Sequence, residues 1–461
     1  MAGSNNKQST LTFHGAAGNV TGANFLLEDT QVDARILVDC GLFQGCRFCD
    51  EKNRKDFAYE PEKVDVLFIT HAHVDHIGRI PKLVKDGFRG RIISTPPTKD
   101  IAEHMFEDSL YILKKEAEQD GVDPLYEKED VVEAMKLWET QEYHDPITVA
   151  GGYTAQFKDA GHILGSAMVE ITRGDRTITF TGDLGNSEVP LLKETEHITG
   201  SQYLVMESVY GDRNHEDVEE RRDILESAIA HTAEKGGALM IPAFSLERTQ
   251  VLLYEMNQLI YEKRVPQIPV YLDSPLAIDI TKVYKKYEQY FNKEANDVIR
   301  SGDDIFNFPN LTFTYTRDES MEINSAPNPK VIIAGAGMSN GGRIMHHEKR
   351  YLPDPNSTLL IVGYQAAGSV GRYIEEGAKK VTIFGDEIPV RAQLKKITGY
   401  SSHKGSDNLI DFVARDAEGL EHVFVTMGET KSSLFLAQRL HDYVGVQAKV
   451  PEEGEQVEIE L

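Results

Sequence analysis

Cysteine is nearly absent: the 461 residues hold three, and Cys40, Cys46 and Cys49 all fall in one short segment. Three cysteines so placed cannot staple a chain of this length, which excludes the disulfide framework of small secreted domains. Cys46 and Cys49 form a CxxC pair, but no second pair and no neighbouring histidine accompanies them, so they read as surface-loop cysteines without a role. Long apolar runs are also missing; none approaches the ~20 residues that a membrane helix needs. The opening MAGSNNKQST has neither the basic start nor the apolar centre of a signal peptide. No membrane association is expected, and the expected compartment is the cytoplasm. Positive charge is scarce as well, with 49 Lys and Arg against 74 Asp and Glu for a net charge of −25. A protein that coats nucleic acid through a general positive field is thereby excluded, and any phosphate binding must be local.

What is present suits a large soluble protein of two or three domains, with 40% hydrophobic and 27% charged residues. The C-terminal PEEGEQVEIEL carries five Glu, whereas the span from Met338 to Lys404 holds ten Lys and Arg against six Asp and Glu. Short β-branched runs ending in Gly or Asp (LTFHG, ARILVDCG, VDVLFITH, GRIISTPP, YTAQFKDAGH, AMVEITRG, RTITFTGDLG) predict strands. Between Lys99 and Tyr143, IAEHMFEDSLYILKKEAE and DVVEAMKLWETQ predict helices laid on a sheet. From about Val209 the rhythm becomes strand, loop, helix, which indicates a second, parallel-sheet domain. After Arg372 short strands return and predict that the chain rejoins the first domain.

The segment VDVLFITHAHVDHIGRI delivers His71, His73, Asp75 and His76 from a hydrophobic strand into the start of a helix. Alternation along extended chain puts His71 and His73 on one side for one ion, while the turn directs Asp75 and His76 toward a second. So many imidazoles this close repel one another once protonated, and a purely structural cluster is disfavoured. His162 in KDAGHILGSA and Asp183 in TITFTGDLGN each follow a predicted strand and supply the missing ligands. Asp39, closing the strand of ILVDCG, reads as a residue that orients a ligand histidine from behind.

In these residues the chain resembles the metallo-β-lactamase superfamily, which implies an αββα sandwich and a zinc site. The resemblance assigns His71, His73 and His162 to a first ion and Asp75 and His76 to a second, with Asp183 bridging. It extends to the nucleic-acid-cutting β-CASP branch through ESVYGDR, IPAFSLERTQ, DSPLA, VIIAGAGMSNGGR and YSSHKG, in that order. That implies an inserted parallel-sheet β-CASP domain over about 209–371, between two parts of the lactamase-like domain at 1–208 and 372–461. Glu207 matches the branch's acidic motif and carries a catalytic expectation. His403 matches its last histidine, which completes the second metal's coordination and is typical of RNA-directed members. The implied activity is RNA hydrolysis: two Zn2+ ions ~3.5–4 Å apart hold a bridging hydroxide and offset charge on a phosphoryl oxygen. Asp75 is the expected proton acceptor.

The Gly-rich loops GAGMSNGGR and GYQAAGSVGR each follow an apolar strand and precede a predicted helix, a setting in which backbone N–H groups hold phosphate. Ser339, Arg343 and Arg372 are the expected RNA phosphate contacts, and Arg248 is expected on the surface. Where relatives tend to carry a proton-donating histidine, this chain has Tyr373, and their HGE reads Met427-Gly428-Glu429. His346 and His347, read as surface residues, are the alternative donors. Two further readings remain beside the ribonuclease: an RNA-binding or assembly partner with little activity, supported by Tyr373, and a small-molecule hydrolase, for which the inserted domain is superfluous. The sequence leaves a homodimer open.

Overall fold

The structure is a computed structural model that describes residues 8–45, 48–187, 190–215, 218–366, 368–397 and 399–461. Cys46 lies outside them; Cys49 is buried at the start of the helix Cys49–Arg54 rather than exposed in a loop. Contacts divide the chain into two units: Met1–Ser187, Glu194–Asn214 and His403–Leu461 form one, and Glu188–Lys193 with His215–Ser402 the other.

The first unit contains two seven-stranded sheets. In each, an antiparallel half continues into a parallel half. Phenylalanines from alternating positions meet between the sheets: Phe13 with Phe424 at 5.4 Å between ring centroids, and Phe25 with Phe180 and Phe68 with Phe157 at 6.0 Å. These rings lie in one buried cluster that draws on both sheets. Apolar side chains interdigitating between two inner faces give the sandwich its core. On the outer face of the second sheet, Leu409, Phe412 and Val413 of the helix Ser406–Arg415 and Leu436 of Thr430–Arg439 cover Leu204, Met206, Val423 and Val425. The expected αββα layering is present.

The first of the two expected helices is present and the second is shorter than expected. The helix Pro96–Asp120 ends at Gly121 in the left-handed region (φ 68°), as helix ends favour. The next helix stops at Lys136, and Trp138–Thr140 is an edge strand paired with Arg91–Ser94. Trp138 is buried there because its indole N–H finds a partner, Ser94 Oγ at 2.8 Å.

The second unit has a six-stranded, wholly parallel sheet in the order Leu311–Phe313, Val270–Asp273, Lys330–Ala334, Ala238–Pro242, Thr358–Ile361, Gln393–Lys396. The unit therefore runs past the predicted boundary at 371, to Ser402. The cause is the strand Gln393–Lys396, which pairs with Thr358–Ile361 instead of returning to the sandwich. Arg248 is not a surface residue either: it is half-buried, with its guanidinium 5.7 Å from the Tyr400 ring.

Candidate metal centre

The residues picked out by sequence gather at strand ends of the sandwich. Asp39 directly follows Ala34–Val38 and Glu207 directly follows Tyr203–Met206. His71, His162 and Asp183 each stand three residues beyond a strand, namely Val66–Phe68, Thr154–Asp159 and Arg176–Phe180. Two glycines allow the connecting loops to touch. A Cβ on Gly41 would lie 1.5 Å from Asp75 O, and one on Gly185 would lie 1.9 Å from Gly161 O. Any side chain there would push apart the backbone that carries Asp75 or His162.

Donor atoms of His71, His73, His162 and Asp183 lie within 4.8 Å of one another, and those of Asp183, Glu207 and His403 do likewise. Asp183 belongs to both groups. His71 Nε2 stands 3.3 Å and His162 Nε2 3.5 Å from its Oδ2, and His76 Nε2 lies 3.5 Å from its Oδ1. His71 Nε2 and His162 Nε2 approach His73 Nδ1 at 3.1 and 3.3 Å. Burial, followed by the neighbouring imidazoles, holds His73 and His162 well below the usual histidine range, in the neutral form that ligates. Three imidazoles meeting edge to face beside a carboxylate, His71 and His162 buried and His73 partly so, form a cluster that a divalent cation satisfies and that packing alone does not.

Asp39 sets the ring orientation. Its Oδ2 accepts from Thr70 Oγ1 at 2.7 Å, which spends the hydroxyl proton, so Thr70 Oγ1 accepts from His71 Nδ1 at 3.0 Å. The same Oδ2 accepts from His76 Nδ1 at 2.7 Å. Both rings are thus left with Nε2 toward Asp183. Thr70 was not singled out in the sequence, although a hydroxyl placed directly before HAHVDH was the available signal.

Charge in the cluster is strongly coupled. Burial opposes ionisation of Asp183, but His76, His403 and His71 together hold its carboxyl well below the usual range. Burial likewise opposes a charge on His403, yet Glu207 and Asp183 raise it to about 10. Asp75 goes the other way: burial raises it and the Asp183 carboxylate adds to that, while His76 counteracts. As the side chains stand, Asp75 and His76 complete neither group of donors among the described residues.

Several expected roles are corrected. Glu207 is fully buried; its Oε1 accepts from Leu184 N at 2.6 Å and lies 3.2 Å from His403 Nδ1, so it positions His403 and has no access to substrate. Ser339 is buried with its hydroxyl on Glu348, and so cannot reach a phosphate. Arg343 is committed to Asp273 Oδ1 at 2.7 Å and to the carbonyls of Thr314 and Tyr315. Arg372 is half-buried, with Nε on Glu376 at 2.7 Å. His347 is buried against Asp273 at 2.7 Å and is no surface donor, whereas His346 is exposed beside the Phe384 ring at 4.6 Å. Tyr373 is half-exposed on the helix Val370–Glu375 of the second unit. Cys40 is buried, and burial pushes its thiol up to about 12, which suits packing rather than ligation.

The family models that match are the metallo-beta-lactamase superfamily over residues 19–154, the Beta-Casp domain over 249–374 and the Zn-dependent metallo-hydrolase RNA specificity domain over 387–451. A ribonuclease of Thermus thermophilus is 36% identical over 92% of this chain and 94% of its own length. The chain belongs to the β-CASP branch of the metallo-β-lactamase superfamily. An RNase J-like protein of Methanocaldococcus jannaschii is 30% identical, with 96% of this chain and 98% of that protein covered. A transcription termination factor of Methanosarcina mazei is 29% identical over 95% of this chain and 70% of its own length. A crystal structure of a protein of unknown function from Enterococcus faecalis shares the fold, with a TM-score of 0.57 at 14% identity, covering 98% of this chain and 100% of that one. In this β-CASP protein the His/Asp cluster is a site that can bind divalent metal. No helix among the described residues is long and apolar enough to cross a membrane.

Proposed function

We propose that this β-CASP protein hydrolyses phosphodiester bonds of RNA with two Zn2+ ions, in the cytoplasm. The observation that carries the reading is the gathering of His71, His73 and His162 around Asp183, with His76 and His403 also facing its carboxylate at 3.5 and 4.0 Å. In this reading His71, His73 and His162 hold one ion, Asp75, His76 and His403 hold the other, and Asp183 serves both. Bound there, divalent cations lower the pKa of a water and offset charge growing on a phosphoryl oxygen. The remaining work falls to the chain. Asp39, through Thr70 and directly, keeps His71 and His76 in the ligating orientation, and Glu207 does the same for His403. Asp75 accepts the proton of the attacking water, Tyr373 gives one to the departing oxygen, and Arg372 contacts an RNA phosphate.

RNA is favoured over DNA by the matched RNA specificity domain and by the names of the relatives. The test is the zinc-loaded protein incubated with end-labelled single-stranded RNA and with DNA of the same sequence. RNA should be cut in preference; equal rates on both, or cleavage of neither, would contradict the proposal.

A further inference from the structure

We propose that Phe244 is a stacking platform for an unpaired RNA base, in a subsite framed by the two Gly-rich loops of the second unit. The inference rests on the RNA reading above and adds to it a way of gripping the strand.

Phe244 stands just beyond the strand Ala238–Pro242, and its carbonyl accepts from Thr249 Oγ1 at 2.8 Å, which pins the backbone. Its ring lies on glycine. A Cβ on Gly337 would come within 2.8 Å of a ring carbon, and one on Gly363 within 3.5 Å. The Gln365 side-chain amide donates to Gly337 O at 3.0 Å and to Gly363 O at 3.2 Å, and Gly371 N donates to Met338 O at 3.3 Å. The loops are therefore tied to each other, and the ring has a fixed seat. Yet Phe244 is 39% exposed, so burial in a core does not account for the aromatic residue. Tyr364, which follows the neighbouring strand Thr358–Ile361, is 51% exposed.

The occupant follows from charge and shape. Neither GAGMSNGGR nor GYQAAGSVGR contains a carboxylate, in a chain with 74 of them, and each ends in arginine. Arg343 is bound to Asp273, and Arg372 is half-buried with its Nε on Glu376 at 2.7 Å. An oriented aromatic face seated on two loops that themselves carry no carboxylate fits a flat group on a polyanion. A duplex hides its base faces, so the ligand is single-stranded. Every base has a π-face, so the subsite should tolerate any sequence.

The test uses the full zinc-loaded chain and a short single-stranded phosphorothioate RNA carrying 2-aminopurine, whose fluorescence is quenched by stacking. The parent should bind and quench. Phe244→Leu, which keeps an apolar side chain but loses the π-face, should bind about 5- to 100-fold more weakly and lose the quench at an unchanged melting temperature. Phe244→Trp should retain both. As a check independent of folding in the variant, removing individual bases from the RNA should weaken binding to the parent by a similar factor. Equal affinity and equal quenching for Phe244→Leu and parent would overturn the inference while leaving RNA binding intact. A parent that binds no RNA would sink the functional reading and this inference together.

Discussion

Asp183→Ala is expected to lower RNA hydrolysis by more than about 10³-fold in a protein that still folds. Asp183 is the residue common to both groups of donor atoms, and its carboxylate lies against His71, His76, His162 and His403. Its removal should take metal affinity with it while leaving the inter-sheet core untouched. Rates measured at saturating zinc, beside thermal unfolding and metal content, check this. Near-parent turnover in a folded variant would contradict the role. Asp39→Ala, which leaves the donor-bearing residues themselves in place but removes the acceptor for His76 and for Thr70 behind His71, should cost less, about 10–100-fold in metal affinity or activity.

Tyr373→Phe is expected to reduce kcat by about 10²–10⁴-fold, the usual worth of a positioned general acid, with metal content unchanged. The phenol is on a helix and half-exposed, so removing its hydroxyl should not disturb packing. Tyr373→His, which restores a proton-donating side chain at the same position, should keep more of kcat than Tyr373→Phe. If Tyr373→Phe matches the parent, the exposed His346 becomes the next donor to test.

The metal cluster was legible because its ligands are local in sequence. HAHVDH packs four donor-bearing residues into six positions, and His162 and Asp183 each sit at a predicted strand end. The β-CASP signatures likewise gave the insertion and its parallel sheet. What the sequence hid depends on partners far along the chain. Ser339 and Arg343 looked free in a Gly-rich loop, but Arg343 is claimed by Asp273, seventy residues earlier, and Ser339 is enclosed with Glu348. Glu207 looked catalytic until His403, nearly two hundred residues away, was seen against it. That the second unit reaches past 371 was hidden because Gln393–Lys396 is a short, lysine-bearing strand at a sheet edge, a composition that protects an exposed edge and carries little hydrophobic signal. Phe244 passed unnoticed because its exposure depends on two glycine loops that meet only in the folded chain.

The most direct test of the account is the number of zinc ions that the parent protein takes up, measured by elemental analysis after reconstitution and removal of excess metal. The seven side chains of the proposed ligand set, against the four that one tetrahedral zinc takes, predict two ions per chain. Saturation at one ion would contradict the two-metal site on which the proposed hydrolysis rests.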